Sequence, residues 1–104
     1  WGIIGLMKTL AMEWGPEGVR ANAICPGAVE GPRMQGVMER EAAAKGTDVQ
    51  HIYDGYASGT SMRSLVTAED VANMAVFLCS TGAHLVSGQV IAVDGHTENP
   101  DPKV

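Results

Sequence analysis

Few residues in this sequence are of types that do chemistry: three histidines, two cysteines, two tyrosines and a scatter of carboxylates. His51, His84 and His96 share no ligand spacing, so they are expected at the surface or in loops, with no metal site. Cys25 and Cys79 lie in Ala-Ile-Cys and Phe-Leu-Cys contexts and form no CxxC pair. They are expected to be buried, reduced thiols packing as small hydrophobes. Glu39, Glu41, Asp48 and Asp54 read as solvated helix faces rather than paired acid–base carboxylates. The run Pro26-Gly27-Ala28-Val29 follows an apolar segment. Its proline has no N–H for a ladder, and its glycine permits close backbone approach. Taken alone, Pro-Gly there is a turn.

These residues need a scaffold, and apolar periodicity supplies one. Ile3, Leu6, Met7, Leu10 and Trp14 recur at spacings of three and four, with Ile4 and Ala11 widening the stripe, so residues 1–14 are predicted to form a helix. Gly15-Pro16 is predicted to stop it, with Gly15 as cap. Val19–Cys25 reads as a strand buried on both faces, as in a parallel sheet. A helix is predicted over about 32–45, ending at Gly46. The next opens on Thr47-Asp48-Val49-Gln50, a capping-box pattern, and puts Val49, Ile52, Tyr53 and Tyr56 on one side. Thr67-Ala68-Glu69-Asp70 starts a further helix that runs to about Ser80, with Val71, Met74, Ala75 and Leu78 inward. A second strand is predicted over Gln89–Val93, closed by Asp94-Gly95. Two buried-type strands joined by a long helical crossover make a parallel β-α-β unit. Two strands are few for an α/β domain, so the sheet reads as part of a larger one.

Composition narrows the function. Seven scattered basic residues and a net charge of −5 leave no positive patch for nucleic acid. The apolar runs are too short to cross a bilayer, and no secretory signal pattern opens the chain. A cytoplasmic protein with no membrane or nucleic-acid partner is expected. The first residue is Trp1 rather than Met, which points to truncation, proteolysis or an engineered boundary.

Four segments together carry a family resemblance: Lys8-Thr9-Leu10-Ala11, the run from Val19 to Val29, the run from Thr67 to Ala72, and the run from Ser87 to Gly95. In this order and spacing the chain resembles the short-chain dehydrogenase/reductases, the branch that includes 3-oxoacyl-carrier-protein reductases. The resemblance implies an α/β fold, the C-terminal part of a Rossmann-type doubly wound parallel sheet, over residues 1–96, followed by a polar tail over 97–104. It implies that Pro26, Gly27, Ala28 and Val29 bind the nicotinamide end of NAD or NADP, with the Val29 backbone bonded to the ring carboxamide. Ligands do sit at the carboxyl ends of parallel strands. The substrate of the parent enzyme would be an alcohol or ketone. Met34, Val37 and Met38 have two readings, as lining of its pocket or as ordinary packing. Asp94-Gly95-His96 would lie at a subunit contact.

The departures matter as much. Where the family often has threonine, this chain has Gly31. No TGxxxGxG phosphate loop is present, and neither Tyr53 nor Tyr56 is followed by lysine four residues on. By the resemblance the chain starts immediately after the catalytic lysine. No catalytic residue is therefore assigned, and the chain is expected to be inactive alone and to bind little or no cofactor. It is also expected to form a homo-oligomer, a dimer or tetramer. The alternatives are a stand-alone oligomeric interaction module and a subunit that completes another chain.

Overall fold

The computed structural model describes residues 1–97. Helix α1 (Gly2–Trp14) forms on the expected spacing, but its apolar stripe divides. Met7 is buried, with Ile4 and Ala11 partly covered beside it. Ile3, Leu6 and Leu10 are 80%, 60% and 39% exposed. The helix does not stop at Gly15, which stays helical and enters a short 3-10 turn, Gly15–Glu17. The left-handed residue that turns the chain is Gly18.

The first strand, β1 (Ala23–Pro26), is shorter than expected and starts later. It pairs in parallel with β2 (Val90–Val93), from Ala23 opposite Val90 to Pro26 opposite Val93. Residues 20–22 lie outside it because their polar groups grip the segment before β2. The Arg20 guanidinium donates to the carbonyls of Leu78 and Val86, at 2.7 and 3.2 Å. Asn22 Nδ2 donates to Val86 O at 2.9 Å, and its Oδ1 accepts from the Gln89 N–H at 3.1 Å. Such side-chain bonds compete with a regular ladder.

The expectation of burial on both faces is corrected. Helix α4 (Ala68–Leu78) packs against both strands, and Ile24 shares a hollow with its Ala75 and Leu78. Side chains alternate across a strand, so Cys25 points the other way and is exposed. Cys79, just past α4, is exposed too. Neither thiol is the buried hydrophobe expected. The α4 start matches expectation: the Asp70 N–H donates to Thr67 Oγ1 and the Thr67 N–H to Asp70 Oδ2, a reciprocal capping box. Val71, Met74, Ala75 and Leu78 are its covered positions.

Between the strands lie α2 (Pro32–Lys45), ending at Gly46, and α3 (Val49–Ser58). The cap of α3 is Asp48 rather than Thr47: Asp48 Oδ1 accepts the His51 N–H at 2.8 Å, and Gln50 turns instead to Asp54. Met38, Ala42 and Ile52 form a buried cluster between the two helices, flanked by Met34, Val49, Tyr53 and Tyr56. Ile52 is the largest side chain that is fully buried among the described residues.

The molecule spans 56 × 26 × 23 Å with a radius of gyration of 16.9 Å. A compact chain of this length has a radius of about 13 Å. Among the described residues no helix is long and apolar enough to cross a membrane. Of the expected polar tail, Thr97 forms an antiparallel bridge with Thr60, and residues 98–104 lie outside the described residues.

Candidate functional site

The parallel register brings both strands to an end at the same level, Pro26 beside Val93. The Gly27 N–H extends the pairing by donating to Val93 O at 3.0 Å. A Cβ on Gly27 would stand 2.8 Å from the Cβ of Asp94 and 3.0 Å from its Cα. Only glycine lets the turns after β1 and β2 pass this closely.

The next residues are held from the other side by Val66. Val66 N–H donates to Ala28 O at 2.9 Å, and Glu30 N–H donates to Val66 O at 2.7 Å. This is a parallel bridge between Val29 and Val66. Its bonds are made by the neighbours of Val29, so the N–H and C=O of Val29 itself face away from Val66. Val29 lines a hollow of about 520 Å³ with Gly27, Ala28, Glu30, Arg33, Met34 and Val37. One backbone donor and one acceptor side by side complement a primary carboxamide, which offers an NH₂ and a C=O. The carboxamide of a nicotinamide ring is one group that such a pair complements.

Three of the four expected site residues, Gly27, Ala28 and Val29, line this hollow. Pro26 sits in β1 as the last paired residue. Met34 and Val37 line the hollow as well, whereas Met38 belongs to the buried cluster of the helix pair. Gly31, at the family's threonine position, has φ 156° and ψ 178°. That backbone region belongs almost wholly to glycine. A threonine there would be strained.

Two arrangements were not foreseen. The Tyr53 hydroxyl donates to Glu30 Oε1 at 2.5 Å. This bond, then removal from water, raises the Tyr53 pKa above the ordinary tyrosine value. Glu30 and Tyr53 both line a second hollow, of about 440 Å³, with Gly31, Pro32, Gln35 and Met38. The pair is 23 residues apart in sequence, beyond the reach of any local period. The second is Ser61 Oγ against His96 Nδ1, at 2.6 Å. Asp94 Oδ1 accepts from the His96 backbone N–H at 2.8 Å, a turn contact. Among the described residues, no group of three or more His, Cys, Asp or Glu side chains is placed to hold a metal ion. Asp48 and Asp54 bond locally, to the His51 N–H and to Gln50, whereas Glu41 also accepts from the Tyr56 hydroxyl of α3 at 3.1 Å. Glu41 meets Lys45 at 3.0 Å, which holds its carboxyl below the ordinary range.

A family model described as enoyl-(acyl carrier protein) reductase matches residues 1–96. The chain belongs to the short-chain dehydrogenase/reductase family. It is 38% identical over 93 residues to protein MoaE of Klebsiella aerogenes, covering 89% of this chain and 36% of that protein. To D-beta-hydroxybutyrate dehydrogenase of Rhizobium meliloti it is 35% identical over 95 residues, covering 90% and 37%. The crystal structure of L-sorbose reductase from Gluconobacter frateurii, complexed with NADPH and L-sorbose, superimposes with a TM-score of 0.84 at 27% identity. It covers 94% of this chain and 38% of that one. This short-chain dehydrogenase/reductase chain thus spans a little over a third of the length of the relatives it matches. Its two-stranded parallel sheet with flanking helices has the Rossmann-like form of those neighbours.

Proposed function

We propose that this chain supplies the nicotinamide-facing turn and the substrate-side helices of a cytoplasmic NAD(P)-dependent oxidoreductase acting between an alcohol and a ketone. The observation that carries this is Val29, whose N–H and C=O face away from Val66 and which lines a hollow at the carboxyl ends of two parallel strands. The nicotinamide would supply or accept the hydride. The protein's part is to orient the ring through Val29 and to cover the reacting carbon with the apolar side chains of Met34 and Val37.

The proton transfer that must accompany hydride transfer has no agent in these 104 residues. A Tyr-x-x-x-Lys pair, in which lysine lowers the tyrosine pKa, is absent from them, as is a glycine-rich phosphate loop. The chain alone is therefore catalytically silent and holds the cofactor by one end only. Millimolar nicotinamide mononucleotide should shift the amide resonances of Ala28 to Glu30, while calorimetry with micromolar NAD or NADP shows no binding. Shifts confined to other regions would remove Val29 from the site. A tight isotherm would show that another anchor exists.

A second part of the proposal concerns assembly. Ile3, Leu6 and Leu10 stand on one open face of α1. Each apolar side chain left in water forgoes roughly 1.5–3 kcal/mol relative to burial, against about 5–15 kcal/mol of net stability for a whole domain. A second copy covers that face most simply by two-fold pairing. The chain should sediment as a dimer or tetramer at micromolar concentration, and Leu6→Glu should shift it to monomer with its helix content kept. A folded wild-type monomer would refute this part.

A further inference from the structure

The chain contains two packing units. Helix α2 packs on α3, and α4 packs on β1 and β2, with no comparable packing between these helices and strands among the described residues. The helix pair is reached through Val29 to Gly31 and left through Gly59 to Val66. Gly31 has no side chain to brace the entry, and a Cβ there would meet nothing within 4 Å. Across this junction runs the hydrogen bond from the Tyr53 hydroxyl to Glu30 Oε1. Both its ends are anchored. Tyr53 packs against the Met38–Ala42–Ile52 cluster. The Glu30 backbone is held by Val66 O at 2.7 Å. A carboxylate acceptor makes the bond one of the stronger kind.

We propose that Tyr53 is a positioning residue: through Glu30 it holds the α2–α3 pair at a set distance from Val29 and so fixes the depth of the hollow between Val29 and Met34 and Val37. This rests on the reading of that hollow as the substrate side of the site. The bond ties the unit that carries the hollow's apolar wall to the turn that carries its donor–acceptor pair. On the return side the pair is already pinned, because the Ser61 and Met62 N–H groups donate to His96 O and Gly95 O; the Tyr53–Glu30 bond sets the entry side, next to the hollow.

The test is amide hydrogen exchange, followed residue by residue by NMR, on the 104-residue chain and three variants. Tyr53→Phe and Glu30→Ala should each speed exchange at the Glu30 and Val66 amides about tenfold, the loss expected for one hydrogen bond to a charged group. Glu30→Gln should recover most of the protection, because its amide oxygen still accepts from the phenol. Protection inside α2 and α3 should stay as it is in Tyr53→Phe, since the ring still packs. Unchanged exchange at Glu30 and Val66 in Tyr53→Phe would overturn the proposal. So would an equal loss throughout the helix pair, or Glu30→Gln behaving like Glu30→Ala. None of these readouts involves nicotinamide, so their failure and the failure of the cofactor reading are separate results.

Discussion

The helix pair is the more polar of the two units in sequence, yet it reaches the greater closure. In the pair, Met38, Ala42 and Ile52 are shut away between α2 and α3, and the outer face is polar. There Glu41 bonds Lys45 and Tyr56, Gln35 bonds Glu39, and Gln50 bonds Asp54. In the sheet unit, Cys25 on β1, Val90 on β2, Phe77 on α4 and the Ile3–Leu6–Leu10 face of α1 all stay open. The lesson is that apolar content does not make a core; the number of layers does. Two helices close on each other, whereas a sheet needs cover on both faces and on both edges.

The sharpest way to break this comparison is at Ile52. Ile52→Ala should cost about 2–5 kcal/mol, as for a buried aliphatic side chain whose surroundings collapse only in part. Urea unfolding followed by circular dichroism measures it. A cost below this range would mean that the pair is as loose as the sheet unit. The next effect is at the junction of the two strand ends. Gly27→Ala pushes a methyl group into the backbone and Cβ of Asp94, and should cost about 1–3 kcal/mol, the usual range for overpacking. Its signature is a shift of the Asp94 and Gly95 resonances with those of α3 unmoved. Smaller still, Thr67→Ala removes the α4 cap and should cost about 1 kcal/mol, read as faster amide exchange over the first turn of that helix.

The smallest effect is in pH, and it separates the units by sign. The Asp70 carboxyl is held below its ordinary value by the bond from the Thr67 N–H. A depressed carboxyl stabilises the fold above its unfolded pKa and loses that contribution as pH falls through the folded one. The start of α4 should therefore loosen in acid, below the ordinary carboxylate range. Tyr53 is raised, first by Glu30. Its contribution is whole below the ordinary tyrosine range and is lost as pH rises through the raised value. The Tyr53–Glu30 contact should therefore loosen in base. Glu41 gives the pair an acid-sensitive contact too, but an exposed ion pair of this kind contributes little. Residue-resolved amide exchange in acid and in base is the check. Loosening of both units together at either extreme would contradict the assignment.

Much of the fold is readable in the sequence, because helices announce their ends. Pro32 and Gly46 bracket α2, and Thr67 with Asp70 opens α4, by chemistry confined to four or five residues. β1 is less readable. Arg20 and Asn22 sit in an apolar run and look like strand residues, yet they bond the carbonyls of a segment more than fifty residues away. The exposure of Cys25 and Cys79 is unreadable for a related reason: their neighbours are apolar, but burial depends on layers that local pattern does not encode. In the site, Gly27, Ala28 and Val29 follow from a Pro-Gly after a strand together with the family resemblance. Val66 and Tyr53 do not, since each meets the turn only through the return of the chain.

That return has a consequence of its own. The chain leaves the sheet at Val29 and comes back at Val66, and those two residues are bridged side by side. The excursion between them closes on this bridge, and on its way back Thr60 to Met62 also bond the segment Gly95 to Thr97. Lengthening such an excursion is thermodynamically mild, about 0.6 kcal/mol for each doubling, and the strands on either side need not move to accommodate it. Residues 31–59 are thus the stretch where insertions and deletions would be absorbed. One framework could carry excursions of many sizes, and the cavity wall could be exchanged while Gly27 and Asp94 stay where they are.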